Sequence, residues 1–150
     1  HKGTAFVEIL QNCPVYNDGE WHEVEDKKTR DAATLVLQAG QPLVYGEGED
    51  RCGIRMEHGR PHVVRVPHGV DPREAGVTVH DEQSSSPSYA YQLATLLRPE
   101  FPLPIGVFRA VERPTYESLL QAQVDEAVAQ RGPGDLRKLL YSGDTWTAGR

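Results

Sequence analysis

The side chains with the most chemical potential are two cysteines, two groups of histidines and one run of serines. Cys13 stands two residues past an apolar segment and is followed by Pro14. Ligands of open α/β sheets gather at the carboxyl ends of strands, so this position suits a site. A cysteine followed by proline also closes some iron–sulfur ligand runs, in which a cluster takes four sulfur ligands. On spacing alone that signal is weak, and Cys13 reads first as a small buried apolar residue, as free cysteines usually are. Cys52 brings the thiol count to two, too few to hold a cluster. His58 and His62 have helical i, i+4 spacing, but Gly59 and Pro61 argue for a turn rather than a metal-binding face. His80-Asp81-Glu82 joins an imidazole to two carboxylates, an arrangement suited to acid–base work. Its place before a serine-rich loop makes a surface turn the expected structure. Ser84-Ser85-Ser86 reads as a loop and helix cap with no nucleophile signature around it.

The chain that must position these groups has 150 residues, of which 38% are apolar and 25% charged. That is the size of one ordinary domain. Glycine and proline, 14 and 11, exceed the usual share of roughly 12%, which excludes a coiled coil or plain bundle and predicts many loops. A net charge of −6, with no basic run longer than Lys27-Lys28, argues against binding nucleic acid. No apolar stretch is long enough to span a bilayer. With no secretory signal at the start, a reduced cytoplasmic setting without disulfides is expected. The chain begins with His1, and its single methionine is Met56, so the true N-terminus is expected upstream.

Thr4 to Leu10 is apolar on both alternating faces except at Glu8, the pattern of a strand covered on both sides. Gln11 to Glu20 is a loop built on Pro14, Asn17, Asp18 and Gly19. Periodicity leaves Ala32 to Leu37 undecided between helix and strand, and Leu43-Val44-Tyr45 is a brief apolar piece. Cys52 to Val66 alternates as a hairpin turning at His58-Gly59-Arg60, and Pro67 to Gly76 reads as a mobile linker. Ser86-Pro87 caps a helix whose stripe is Tyr89, Ala90, Leu93, Leu96 and Leu97. Phe101 to Phe108 is held extended by its prolines. A second helix opens at Pro114-Thr115 with Tyr116, Leu119, Leu120, Val124, Ala127 and Val128 on one face, a core or interface stripe, and Gly132-Pro133-Gly134 stops it. A short helix around Leu136 to Tyr141 and a tail with Trp146 follow.

Gly3-Thr4-Ala5-Phe6-Val7-Glu8-Ile9-Leu10-Gln11-Asn12-Cys13-Pro14-Val15-Tyr16-Asn17 resembles the C-terminal part of the thiamine-diphosphate domain in the β subunit of 2-oxoacid:ferredoxin oxidoreductases. The likeness continues at His80-Asp81-Glu82, at Phe101 to Phe108, at Arg113-Pro114-Thr115-Tyr116 and at Ser142-Gly143-Asp144-Thr145-Trp146. The Gln-Asn-Cys-Pro segment is its most specific element, and the two-subunit 2-oxoglutarate branch is the nearest in pattern. The resemblance implies an α/β fold. Residues 1–40 would end the thiamine-diphosphate-binding domain, and 41–150 would be a C-terminal extension with a β-hairpin and two or three helices.

The resemblance also implies a role for Cys13, as the last of four ligands to a [4Fe–4S] cluster that passes electrons to ferredoxin. In the family the other ligands, including a Cys-x-x-Cys pair, and the Gly-Asp-Gly segment for Mg²⁺ and thiamine diphosphate lie earlier in the subunit. Neither motif occurs in this chain, so Cys13 is the one cofactor- and metal-binding residue the resemblance assigns, and no catalytic residue is assigned. Cys52 has no counterpart. The implied reaction is oxidative decarboxylation of a 2-oxoacid to an acyl-CoA, with an α subunit and ferredoxin as partners in an (αβ)2 assembly. The chain expressed alone is expected to aggregate or look partly unfolded. Two other readings remain beside this one. One is a stand-alone, non-catalytic interaction module that keeps only the family's C-terminal shape. The other is a small hydrolase using His80 and Asp81.

Overall fold

The structure, a computed structural model, describes residues 1–149. Its contacts separate two units, Glu8–Glu112 and the remainder, residues 1–7 with those from Arg113 onward.

In the first unit, two single-turn helices, α1 (His22–Glu25) and α2 (Arg30–Ala33), lead into strand β1 (Thr34–Leu37). The ambiguous apolar run thus divides at Thr34. Alanines, the best helix formers, end α2, and the β-branched Thr34 and Val36 with two leucines make the strand. Thr34 Oγ1 donates to the Arg30 carbonyl at 2.7 Å, the same oxygen that accepts the Thr34 backbone N–H at the helix end. Leu35 and Leu37 are buried on β1, whereas Val36 points to solvent.

Strand β2 (Val44–Tyr45) pairs antiparallel with β3 (Cys52–Glu57), which pairs in turn with β4 (Arg60–Arg65). The β3–β4 register runs from Cys52↔Arg65 to Glu57↔Arg60, which leaves only His58 and Gly59 in the turn. Their φ angles are +51° and +76°, the left-handed pair whose twist matches two hairpin strands. The expected hairpin is present, with Arg60 already in the strand.

Helix α3 (Pro87–Ala94) starts as the sequence implies, the Ser86 hydroxyl accepting from the Ser88 N–H at 3.3 Å with Pro87 in the first turn. Strand β5 (Leu103–Gly106) then lies parallel to β1, from Thr34↔Leu103 to Leu37↔Gly106. Leu35, Leu37, Leu43, Ile54, Val66, Val77, Leu93 and Leu96 close into one core. Each contributes about 1.5–3 kcal/mol by leaving water. Leu97, assigned to the α3 stripe by periodicity, lies past the end of the helix and is exposed.

In the second unit, α4 (Tyr116–Arg131) is capped by the Thr115 hydroxyl, which accepts from the Ser118 N–H, and stops at Gly132 with φ +80°. α5 (Leu136–Leu140) starts where Asp135 accepts from the N–H groups of Arg137 and Lys138. Tyr116, Leu119, Leu120, Val124 and Val128 are all exposed, so this stripe forms no core among the described residues.

The molecule is α/β, with a parallel strand pair, an antiparallel hairpin sheet and several helices. Three expectations are corrected. Thr4 to Leu10 forms no strand, and Phe6 and Ile9 are 89% and 82% exposed. A strand persists only where a neighbour takes up its N–H and C=O groups, and no described residue pairs with this segment. Pro67 to Gly76 is a run of hydrogen-bonded turns, closed by Val77 N–H on the Pro72 carbonyl at 3.0 Å, rather than a free linker. His80 is buried rather than on a surface turn, being only 1% exposed. Among the described residues, no helix is long and apolar enough to cross a membrane.

Candidate functional site

Cys13 lies in a short loop closed from both sides. The Asn17 N–H donates to the Cys13 carbonyl at 2.9 Å, folding residues 13–17 back on themselves. Just before the cysteine, Asn12 Oδ1 accepts from the Gly19 N–H at 3.0 Å, and its Nδ2 donates to Asp18 Oδ1 at 2.9 Å. Trp21 Nε1–H donates to the Gln11 carbonyl at 3.1 Å, joining the two stems of the loop. From 78 residues away, Arg98 donates to the Glu20 carbonyl at 3.1 Å and pairs with the Glu23 carboxylate.

Electrostatics at the thiol follow from that fold. The backbone N–H groups of Tyr16, then Val15, hold the Cys13 thiol below its ordinary pKa against a smaller opposing effect of desolvation, and Asn17 adds the least. N–H groups turned toward a sulfur favour the thiolate, the form that binds metal or attacks electrophiles. The donor set therefore fits a thiolate ligand to an iron–sulfur cluster, supplying one of the four sulfurs required. Among the described residues, no group of three or more His, Cys, Asp and Glu side chains gathers as a further metal centre.

The other candidates stay apart from this loop. Cys52, half-buried on β3, sits against Tyr45, whose hydroxyl pKa is pushed up by burial first and by Cys52 second. Both cysteines are free thiols. His58 forms the hairpin turn and His62 lies on β4, opposite Arg55. Ser86 is a helix cap.

His80 has a structural place. Its Nε2 is 2.7 Å from the Val107 carbonyl and its Nδ1 is 3.1 Å from the Tyr89 hydroxyl. A carbonyl only accepts, so Nε2 carries a proton and donates to Val107, while Nδ1 pairs with the Tyr89 hydroxyl. The backbone of His80 also pairs with Gly40 and Gln41, both bonds being 2.9 Å. His80 thereby joins α3, the residue after β5 and the loop after β1. With both ring nitrogens engaged, it has no free nitrogen for acid–base work, and the hydrolase reading falls with it.

Sequence reasoning missed the Asn12 clamp and the Arg98 tether. An amide and a carboxylate six residues apart, flanking Pro14 and Gly19, are a weak signal for the first. Nothing local announces the second.

Fold and site together describe an α/β chain presenting one thiol of lowered pKa from a clamped loop. The chain is 33% identical over 150 residues to the 2-oxoglutarate oxidoreductase subunit KorB of Mycobacterium tuberculosis, a match covering 98% of this chain and 39% of that subunit. It therefore spans about two-fifths of the relative's length, the C-terminal part, and is a homologue of that oxidoreductase subunit over this part. No protein-family model and no solved structure matches the chain.

Proposed function

We propose that this chain serves in the β subunit of a 2-oxoacid:ferredoxin oxidoreductase, with 2-oxoglutarate as the favoured substrate, and that Cys13 gives one thiolate to a [4Fe–4S] cluster. The observation that carries this reading is the Cys13 loop. The segment most specific in its resemblance is also where backbone N–H groups favour a thiolate. The likeness to a 2-oxoglutarate oxidoreductase subunit supports the substrate.

When bound, thiamine diphosphate with Mg²⁺ supplies the decarboxylation chemistry and the cluster supplies single-electron transfer to ferredoxin, with coenzyme A taking the acyl group. This chain's part is narrower. Cys13 holds the metal through its sulfur. Pro14 fixes the backbone on the far side of that sulfur. The N–H groups of Val15, Tyr16 and Asn17 offset the negative charge that gathers on a reduced sulfur ligand. An α subunit in an (αβ)2 assembly and a reduced cytoplasmic setting complete the proposal.

The test is turnover by the purified complex that contains this chain. It is supplied with thiamine diphosphate, Mg²⁺, coenzyme A and a viologen acceptor, and offered a panel of 2-oxoacids. The expected result is viologen reduction dependent on coenzyme A, with kcat/KM for 2-oxoglutarate at least about tenfold above that for pyruvate. Absence of reduction with every 2-oxoacid contradicts the reading.

A further inference from the structure

Glu117, Leu120, Val124, Val128 and Arg131 lie in one row along α4. Their spacings are three, four, four and three residues, so each stands about one turn from the next on the same side of the helix. The row is symmetric about Val124, with apolar side chains in the middle and opposite charges at its ends. Glu117 is in the first turn and Arg131 in the last. Leu120, Val124 and Val128 are 46%, 47% and 45% exposed, and among the described residues α4 packs extensively against no other strand or helix. The acids off this row are engaged on their own helix. Asp125 accepts from Gln121 at 2.8 Å and Glu126 from Gln130 at 3.1 Å. Among the described residues, neither Glu117 nor Arg131 enters an ion pair.

A two-fold axis through Val124, perpendicular to the helix, carries Glu117 onto the place of Arg131 and Leu120 onto that of Val128. Resting on the (αβ)2 assembly proposed above, we infer that α4 is the surface on which two copies of this chain pair, antiparallel. Val124 then meets its own counterpart, and Leu120 meets Val128 of the second copy. Each Glu117 meets an Arg131, which gives two ion pairs from one contact. A two-fold interface uses the same patch on both copies, so that patch must complement itself, as this row does. A parallel pair would set Glu117 against Glu117. The helix macrodipole accounts for the sign of the charge at each end. It does not account for both charges standing on the apolar row. One helix pair covers less than the roughly 1,200 Å² of a stable free-standing interface, so α4 joins halves that other surfaces also hold.

The contact is tested in the assembled complex. Val124→Cys is oxidised mildly and run on a denaturing gel without reductant, with the parent as background for Cys13 and Cys52. A disulfide needs Cβ atoms within about 4 Å of each other, so a covalent pair of this chain is expected from Val124→Cys. Ala122→Cys, on the opposite side of α4, is expected to give none. No pair from Val124→Cys, or equal pairs from both, overturns the inference and leaves this face to another segment of the subunit or to another protein.

Charge exchange reads the same contact reversibly. Glu117→Arg and Arg131→Glu each set like charges together at both ends of the helix pair. Either is expected to weaken association of the αβ halves at least about tenfold in low salt, measured by sedimentation. Glu117→Arg combined with Arg131→Glu rebuilds both ion pairs with their signs reversed. Association should then return to within about threefold of the parent. A role confined to the macrodipole predicts the opposite, with the double exchange the weakest of the three. Single variants that match the parent, or a double exchange no better than they are, overturn the inference.

The parent complex separates the two claims. Sedimentation of the parent as αβ means that the assembly reading fails, and the inference with it. An (αβ)2 parent whose Val124→Cys variant gives no covalent pair means that only the role of α4 fails.

Discussion

Replacing His80 with alanine is expected to lower the unfolding free energy by about 3 kcal/mol. The ring is 1% exposed and bonds two groups that have come to depend on it, the Val107 carbonyl and the Tyr89 hydroxyl. Truncation leaves a cavity where the imidazole was. It also strands an acceptor and a donor away from water, each costing about 1–3 kcal/mol where the structure cannot relax. Tyr89→Phe removes only one of the two bonds and keeps the ring packing, so its cost is about 1 kcal/mol. Denaturant unfolding of the two variants measures both values. A cost below about 0.5 kcal/mol for His80→Ala would mean that the imidazole holds nothing.

Gly106→Ala should cost as much, for a different reason. Gly106 ends β5 at φ +119°, where an added Cβ would lie 2.5 Å from the Leu37 carbonyl oxygen, its partner on β1. The obstruction is backbone, so no side chain can rotate away, and the parallel pair must separate or the strand end must unwind. Left-handed strain and overpacking together give about 3 kcal/mol. Gly40 is the control, with φ +72° and nothing within 4 Å of its added Cβ. Gly40→Ala meets only the strain and should cost about 1 kcal/mol. Equal melting temperatures for the two variants would refute the close approach between β1 and β5.

What the sequence made legible was local. The β3–β4 hairpin has period-two alternation and a Gly at the turn, and helices α3 and α4 begin at capping hydroxyls beside prolines. Such signals lie within a few residues of the structure they specify. Pairing of β1 with β5 does not, because its register is set by which strand edges remain free after the core closes. Thr4 to Leu10 shows the converse, since an apolar pattern fits a strand but supplies no neighbour. His80 misled because Asp81 and Glu82 make the neighbourhood look solvated. The two groups that satisfy its ring are nine and 27 residues further along the chain. The segment around Cys13 carries the family resemblance in its own residues, whereas the bonds from Asn12 and Arg98 that shape its loop emerge only in three dimensions.

The measurement that bears most directly on the account is the iron content and visible spectrum of the Cys13→Ala complex beside the parent. Loss or damage of the cluster, with α-helix content and subunit assembly unchanged, is the predicted result, since one thiolate of four is removed from a loop that stays closed. Full iron and an unaltered spectrum would contradict it, leaving Cys13 an ordinary loop cysteine and this chain without a part in electron transfer.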